Sequence, residues 1–232
     1  MNTIRSCQTL AIIPARGGSK GLPRKNLVML GDMPLVAWSI KAALHCPSID
    51  RVVVSTDDEE IAEVSIAFGA EVPFLRPALY AGDKSSLGDA ITYTIQQLDG
   101  TEPDAVITLL PTHPFRSANL METLSRKIQN YYGKVKTVAP ITVHASSHLV
   151  MHEDGGLDSV WKEHFPECAR PSAVLHRPYG LFDAYAPSRP KNRLFVYELT
   201  NPVELIDIDT QEDLLLAQQI VLEGLFDFGW QP

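Results

Sequence analysis

The chain has 232 residues, 45% of them hydrophobic and 21% charged, with 14 Gly and 17 Pro, a composition that excludes collagen, coiled coil and long disorder. That length favours one large domain, with a core big enough to hold a preformed cleft, over two equal domains. Twenty Lys and Arg against 28 Asp and Glu give a net charge of -8, which repels the phosphate backbone of nucleic acids and anionic membrane surfaces.

Leu10 to Ile13 is a short apolar run closed by Pro14, and beyond a loop from Ala15 to Lys25 the apolar residues of Pro34 to Leu44 recur with helical spacing. Strand, loop and helix are predicted there. Arg51 to Ser55 is a β-branched strand, after which Asp57 or Asp58 can cap a helix through Ile61, Val64 and Ile66 to Gly69. Glu71 to Leu75 is a further strand candidate. Leu87, Ala90, Ile91, Thr94, Ile95 and Leu98 form a helical stripe ended by Gly100, and Asp104 to Leu110 reads as a buried strand. A helix over Ser117 to Tyr131 follows from Leu120, Leu124 and Ile128, and a strand from Val135 to Ala139. From Pro140 to about Arg193 the alternation lapses. Pro166, Pro171, Pro178, Pro187 and Pro190 interrupt it, which predicts irregular structure, a hairpin or an arm. Val203 to Ile208 then reads as strand and Glu212 to Leu222 as helix.

Short apolar strands alternating with amphipathic helices imply a mostly parallel α/β sheet with helices on both faces, because parallel strands need crossover connections. Ligands of such sheets bind beyond the strand C-termini, so the loops after strands are the places to search. Cys7, Cys46 and Cys168 are odd in number and lack a C-x-x-C, which argues against a disulfide framework or a cysteine zinc site and for a reducing compartment. No stretch reaches the roughly 18 uninterrupted apolar residues of a membrane helix, and the first residues lack a signal peptide's apolar segment. A cytoplasmic protein is expected.

Four of the 20 basic residues, Arg16, Lys20, Arg24 and Lys25, lie within ten positions among Gly17, Gly18 and Gly21. Backbone amides there can approach an anion while Arg16, Lys20 and Lys25 neutralise it, a cradle suited to polyphosphate. The segment is neither a P-loop, since Gly21 follows Lys20, nor a G-x-G-x-x-G fingerprint. Asp207-Ile208-Asp209 closes an apolar run, and alternation puts both carboxylates on one side, where they suit Mg2+ bound together with substrate phosphate. Asp209 or Thr210 can equally cap the following helix. In Pro111-Thr112-His113-Pro114-Phe115-Arg116, Thr112 and Arg116 can address a sugar hydroxyl or a carboxylate, or Arg116 can pair with a structural acid. Ser55-Thr56-Asp57-Asp58 offers hydroxyls and a helix cap after a strand. His144, His148 and His152 recur every four residues, yet an interface or surface role outweighs metal binding there.

Ile13-Pro14-Ala15-Arg16-Gly17-Gly18-Ser19-Lys20-Gly21 with Pro23-Arg24-Lys25-Asn26 resembles the signature of the acylneuraminate cytidylyltransferases, the CMP-sialic acid synthetases. Ser55-Thr56-Asp57, Arg76-Pro77 with Ala81 and Asp83, Pro111 to Arg116, and Asp207-Ile208-Asp209 with Asp213-Leu214 match in the same order, from about Leu10 to Leu222. The resemblance implies a Rossmann-like nucleotidyltransferase fold, a three-layer sandwich forming a single domain over residues 1–232, usually as a homodimer. About 141–185 corresponds to a dimerisation arm. It implies a cytidylyltransferase that joins CTP to a 2-keto-3-deoxy sugar acid, sialic acid or a related nonulosonic acid, and releases pyrophosphate. Arg16, Lys20 and Lys25 would hold the triphosphate with Gly17 and Ser19, Asn26 the nucleoside, and Arg76 the cytosine near Ser85 or Ser86. Asp207 and Asp209 would hold Mg2+, and Arg16, Lys25 and Asp209 are the expected catalytic residues. Leu110 stands where sialate members commonly carry Gln, and Tyr179 where the family usually shows Asn before Gly180. Those departures keep open legionaminate, pseudaminate or octulosonate, another nucleotide, or a silent nucleotide or sugar-phosphate binding protein.

Overall fold

The computed structural model describes residues 8–19, 21–82, 85–98, 102–141, 149–151, 157–159 and 176–231. β1 (Thr9–Pro14) leads through the glycine loop to a small hairpin, β2 (Met29–Leu30) with β3 (Met33–Pro34), and then to α1 (Leu35–Leu44). β4 (Arg51–Ser55) precedes α2 (Glu59–Ala67), and α3 (Leu87–Gln97) precedes β5 (Ala105–Thr108). α4 (Ala118–Asn130) and β6 (Lys134–Pro140) follow, then a second hairpin of β7 (Leu149–Met151) and β8 (Leu157–Ser159). The chain ends with β9 (His176–Tyr185), β10 (Leu194–Glu198) and α5 (Gln211–Leu222).

Six strands form one sheet in the order β10-β6-β9-β5-β1-β4. Of these, β9 alone runs antiparallel to its neighbours. Alternation along β1 determines the layers: Leu10 and Ile12 pack with Val53, Val106 and Ile91 of α3, whereas Ala11 and Ile13 pack with Val36 and Ile40 of α1 and Leu120 and Leu124 of α4. Helices therefore cover both faces, giving the three-layer α/β sandwich expected. Side-chain caps start α2, α3, α4 and α5, each contributing about 1 kcal/mol, whereas α1 follows Pro34 without one. Asp58 accepts from Ile61 N–H, Ser117 from Leu120 N–H, and Ser86 with Asp89 and Thr210 with Asp213 form reciprocal capping boxes.

A second apolar cluster lies at one end of the sheet, where Trp38, Leu30, Phe115, Leu214, Ala217 and Phe228 surround Ile208. It docks α5 and buries Ile208 completely. Among the described residues no helix is long and apolar enough to cross a membrane.

Three expectations are corrected. Only Glu71 of the run Glu71 to Leu75 pairs, as a single parallel bridge to Val53, because Pro73 has no N–H to continue a ladder. Val203 to Ile208 is not a strand: Asn201 caps a 3-10 turn over Pro202–Leu205, and from Ile206, which is extended, the chain runs on to α5 without pairing in a sheet. His176–Tyr185 does not belong to an irregular arm but is the strand between β5 and β6. Pro178 is tolerated there because β5 pairs only with Asp183 to Tyr185, leaving that edge of the strand without a neighbour at position 178 among the described residues. His144, His148 and His152, Cys7, Cys168 and most of the expected arm lie outside the described residues.

Candidate functional site

The loops after β1 and β5 and the segment before α5 meet at the C-terminal end of the parallel strands. They enclose a cavity of about 280 Å3 lined by Arg16, Ser19, Gly21, Lys25, Asn26, Leu110, Pro111, Thr112 and Asp209. An adjoining lobe of about 240 Å3 is lined by Arg76, Tyr80, Gly82, Ser85 and Ser86, and Pro14, Arg16 and Leu110 border both. A larger hollow of about 560 Å3 between the β2–β3 hairpin and α5 contains none of the predicted residues.

The glycine loop is held by acids and by close backbone contacts. Gly17 N–H donates to Asp57 Oδ1 at 3.0 Å, and Arg76 Nη2 approaches the same oxygen at 3.9 Å. One carboxylate thus ties the loop after β1 to the arginine of the second lobe. A Cβ on Gly21 would stand 2.4 Å from the Asp209 carbonyl oxygen, so glycine is required where loop and acidic segment touch. Asn26 is buried and its Nδ2 donates to Arg16 O at 2.8 Å, bracing the loop from beneath. Arg24 adopts a left-handed backbone (φ 51°), and its side chain turns away to Asp58 and Glu60 on α2.

The two acids flank a buried anchor. Ile208 is packed in the core and its N–H donates to Thr112 O at 2.8 Å; Asp209 beside it is exposed, whereas Asp207 is partly buried against His113. Helix capping falls to Thr210 and Asp213, which leaves the Asp209 carboxylate to Lys25 Nζ at 2.5 Å. Asp207 Oδ1 is buried without a hydrogen-bond partner among the described residues, 3.7 Å from His113 Nδ1. Burial, with the nearby Asp209 charge, pushes the Asp207 carboxyl above the usual range. His113 is pushed down to about 3 by burial and by the charges of Arg116, Arg177 and Lys25, so its ring is neutral at pH 7. Two hard carboxylates, one with an orphaned oxygen, could hold a divalent cation. Among the described residues no group of three or more His, Cys, Asp or Glu is arranged to do so, and the remaining ligands would come from substrate and water.

The structure brings together Arg16, Ser19, Lys25, Asn26, Thr112 and Asp209, with Arg76, Ser85 and Ser86 in the adjoining lobe, whereas Gly17, bonded to Asp57, and Asp207, beside His113, line neither lobe. Lys20 lies outside the described residues. Arg76 is 5% exposed, and burial lowers its pKa while Asp57 opposes that shift. Arg116 does not reach the cleft either. It has no exposed surface, and its guanidinium donates to Leu181 O, Ser39 Oγ and Leu110 O, so it is an internal brace and not a carboxylate reader facing the cavity. Asp57 is the residue whose importance the sequence understated. Its position after a strand was the available signal, but a helix cap explained it equally well until Asp58 proved to be the cap.

Against known proteins, a family model described as cytidylyltransferase matches residues 10–153. The CMP-N,N'-diacetyllegionaminic acid synthase of Legionella pneumophila is 35% identical over 227 residues, covering 91% of this chain and 95% of that protein. The pseudaminic acid cytidylyltransferase of Campylobacter jejuni is 29% identical over 220 residues, with the same coverage, 91% and 95%. Among solved structures, a CMP:2-keto-3-deoxy-manno-octonic acid synthetase complexed with CTP superposes with a TM-score of 0.68 at 19% identity, covering 94% of this chain and 99% of that one. That likeness establishes the fold as a Rossmann-like nucleotidyltransferase sandwich.

Proposed function

Because this chain belongs to the cytidylyltransferase family, we propose that it joins CTP to a 2-keto-3-deoxy sugar acid of the nonulosonic type, giving the CMP-sugar and pyrophosphate. The observation that supports this most directly is the convergence of the glycine loop, the Lys25–Asp209 pair and the Asp57–Arg76 contact on one two-lobed cleft. CTP would place its base in the lobe of Arg76, Ser85 and Ser86 and its triphosphate along Arg16, Gly17, Ser19 and Lys25, with Lys20 continuing the basic loop. Asn26 serves the nucleotide through Arg16, whose carbonyl it holds.

The anomeric hydroxyl oxygen of the sugar acid attacks the α-phosphorus as its proton passes to solvent, the bond to the bridging oxygen of the β-phosphate breaks, and pyrophosphate leaves with that bond's electron pair. Such transfers need alignment and charge stabilisation more than covalent help from the protein. Arg16 and Lys25 stabilise charge on the departing phosphates, and Thr112 contacts the sugar acid from the turn after β5. Asp207 and Asp209 would hold Mg2+, which when bound supplies charge neutralisation and orientation at the phosphates. Leu110, apolar where sialate members carry Gln, favours a deoxygenated acid of the legionaminate or pseudaminate kind. We further propose a cytoplasmic homodimer.

A pyrophosphate-release assay crossing the four nucleoside triphosphates with N,N'-diacetyllegionaminate, pseudaminate, N-acetylneuraminate and 3-deoxy-octulosonate tests this reading. Turnover with CTP and one acid is expected. CTP binding without turnover on any acid would make the chain a binding protein. Asp209→Ala should fold and lose most Mg2+-dependent turnover; an unchanged rate would remove the metal assignment.

A further inference from the structure

Tyr179 is 5% exposed near the start of β9, and its side chain is used inside the molecule. The hydroxyl donates to the carbonyl of Leu205, and the ring meets His113 edge-on, with centroids 4.6 Å apart and an interplanar angle of 84°. His113 Nδ1 is 2.9 Å from Thr112 Oγ1, and Thr112 O accepts the N–H of Ile208. These contacts close a circuit around the segment that carries both acids. β9 holds it at Leu205, and the turn after β5 holds it at Ile208. Gly180 belongs to the same arrangement, since a Cβ there would stand 3.1 Å from His113 Cε1 and 2.4 Å from Leu110 Cδ1.

The clamp matters because of what the segment lacks. Residues 206–209 belong to no strand, so no ladder of hydrogen bonds holds them. Local bonds from Ile206 N–H to Val203 O and from Asp209 N–H to Asp213 are joined by attachments from elsewhere in the fold: the Ile208 side chain in the core, the Ile208 N–H on Thr112, Lys25 on the Asp209 carboxylate, and the Tyr179 hydroxyl on Leu205.

We propose that Tyr179 is a positioning residue, whose hydroxyl on Leu205 and ring on His113 set the backbone that holds Asp207 beside His113 and presents Asp209 to the cleft. This rests on the reading of those acids as the metal-holding pair. Partners that orient metal ligands typically change metal affinity about 10-fold or more when removed, and Tyr179 acts one step further back, through backbone.

The test compares Tyr179→Phe, which keeps the ring and loses the hydroxyl, with the unaltered chain and with Asp209→Ala. Two readouts are taken without turnover: Mn2+ affinity by electron paramagnetic resonance in the presence of CTP, and amide hydrogen exchange across residues 203–210. Tyr179→Phe is expected to weaken Mn2+ binding by about threefold to tenfold and to speed exchange at Ile206 to Ile208, leaving β6 and β9 protected. Unchanged affinity with unchanged exchange overturns the proposal. So does an even rise in exchange along β6 and β9, which would mark general destabilisation. If Asp209→Ala leaves Mn2+ binding intact, the metal reading of the pair fails, and faster exchange at 206–208 in Tyr179→Phe then still shows the clamp without a metal to serve.

Discussion

A guanidinium without exposed surface must satisfy its donors inside the protein, and Arg116 does so on two carbonyls and a hydroxyl. Burial lowers its pKa to about 9, so it remains charged at pH 7. Arg116→Ala leaves Leu181 O and Leu110 O without that partner and opens a void, and should cost roughly 3–5 kcal/mol in urea unfolding. A variant of normal stability that lost only sugar-acid affinity would return Arg116 to the site. His113 makes a pH-dependent contribution. Its folded pKa of about 3 lies below the ordinary 6.5, so below pH 6.5 the unfolded chain binds more protons. Stability from this residue is therefore complete above pH 6.5 and is lost as pH falls toward 3, at up to ~1.4 kcal/mol per unit. The raised Asp207 acts in the opposite sense just above its ordinary value of 3.8. His113→Phe should flatten the acid limb of a metal-free stability profile, and an unaltered limb would refute the assignment. Cys46, buried and pushed up to about 11, is expected to resist iodoacetamide at pH 8 until the protein unfolds, as peptide mass mapping would show.

Between elements, the critical features are close approaches of backbone. Gly21 lets the loop after β1 touch the Asp209 carbonyl, so Gly21→Ala must separate the loop from the acids. Turnover should fall more than about tenfold while the melting temperature changes by only a few degrees, because the loop is peripheral to the core. Gly180 meets instead the end of a flexible side chain, Leu110 Cδ1. Gly180→Ala should be destabilising alone and largely relieved in combination with Leu110→Ala, a coupling that a double-mutant cycle measures. At this scale the sequence was most legible where elements are local. Asp58, Ser117 and the Ser86 and Thr210 boxes start helices close to where the periodicity places them. β9 was hidden by Pro178 and Gly180, and its pairing with β5 and β6 depends on residues far away in the chain.

Over the whole molecule, a net charge of -8 coexists with a cleft in which Arg16, Lys25 and Arg76 border the proposed nucleotide path. Total charge describes the outer surface, whereas a cleft with low-dielectric walls focuses its own field. The chain should therefore bind CTP with Mg2+ yet show no retention on heparin or nucleic acid at physiological salt. Sedimentation equilibrium is expected to give twice the chain mass, and a single-chain mass at micromolar concentration would remove the homodimer proposal.

The sequence by itself determined the alternation of strands and helices, the glycine-rich basic loop and the acidic pair, because each rests on periodicity, capping or backbone chemistry within a few residues. The tertiary structure decided which polar groups face the cleft. Arg116 was drawn inside by Ser39, Leu110 and Leu181, and Asp57 was released from capping to join Gly17 to Arg76. Tyr179 was turned inward onto Leu205. The physical reason is the same in each case: a buried polar side chain is directed by the partners that satisfy it, and those partners lie up to 77 residues away in the chain.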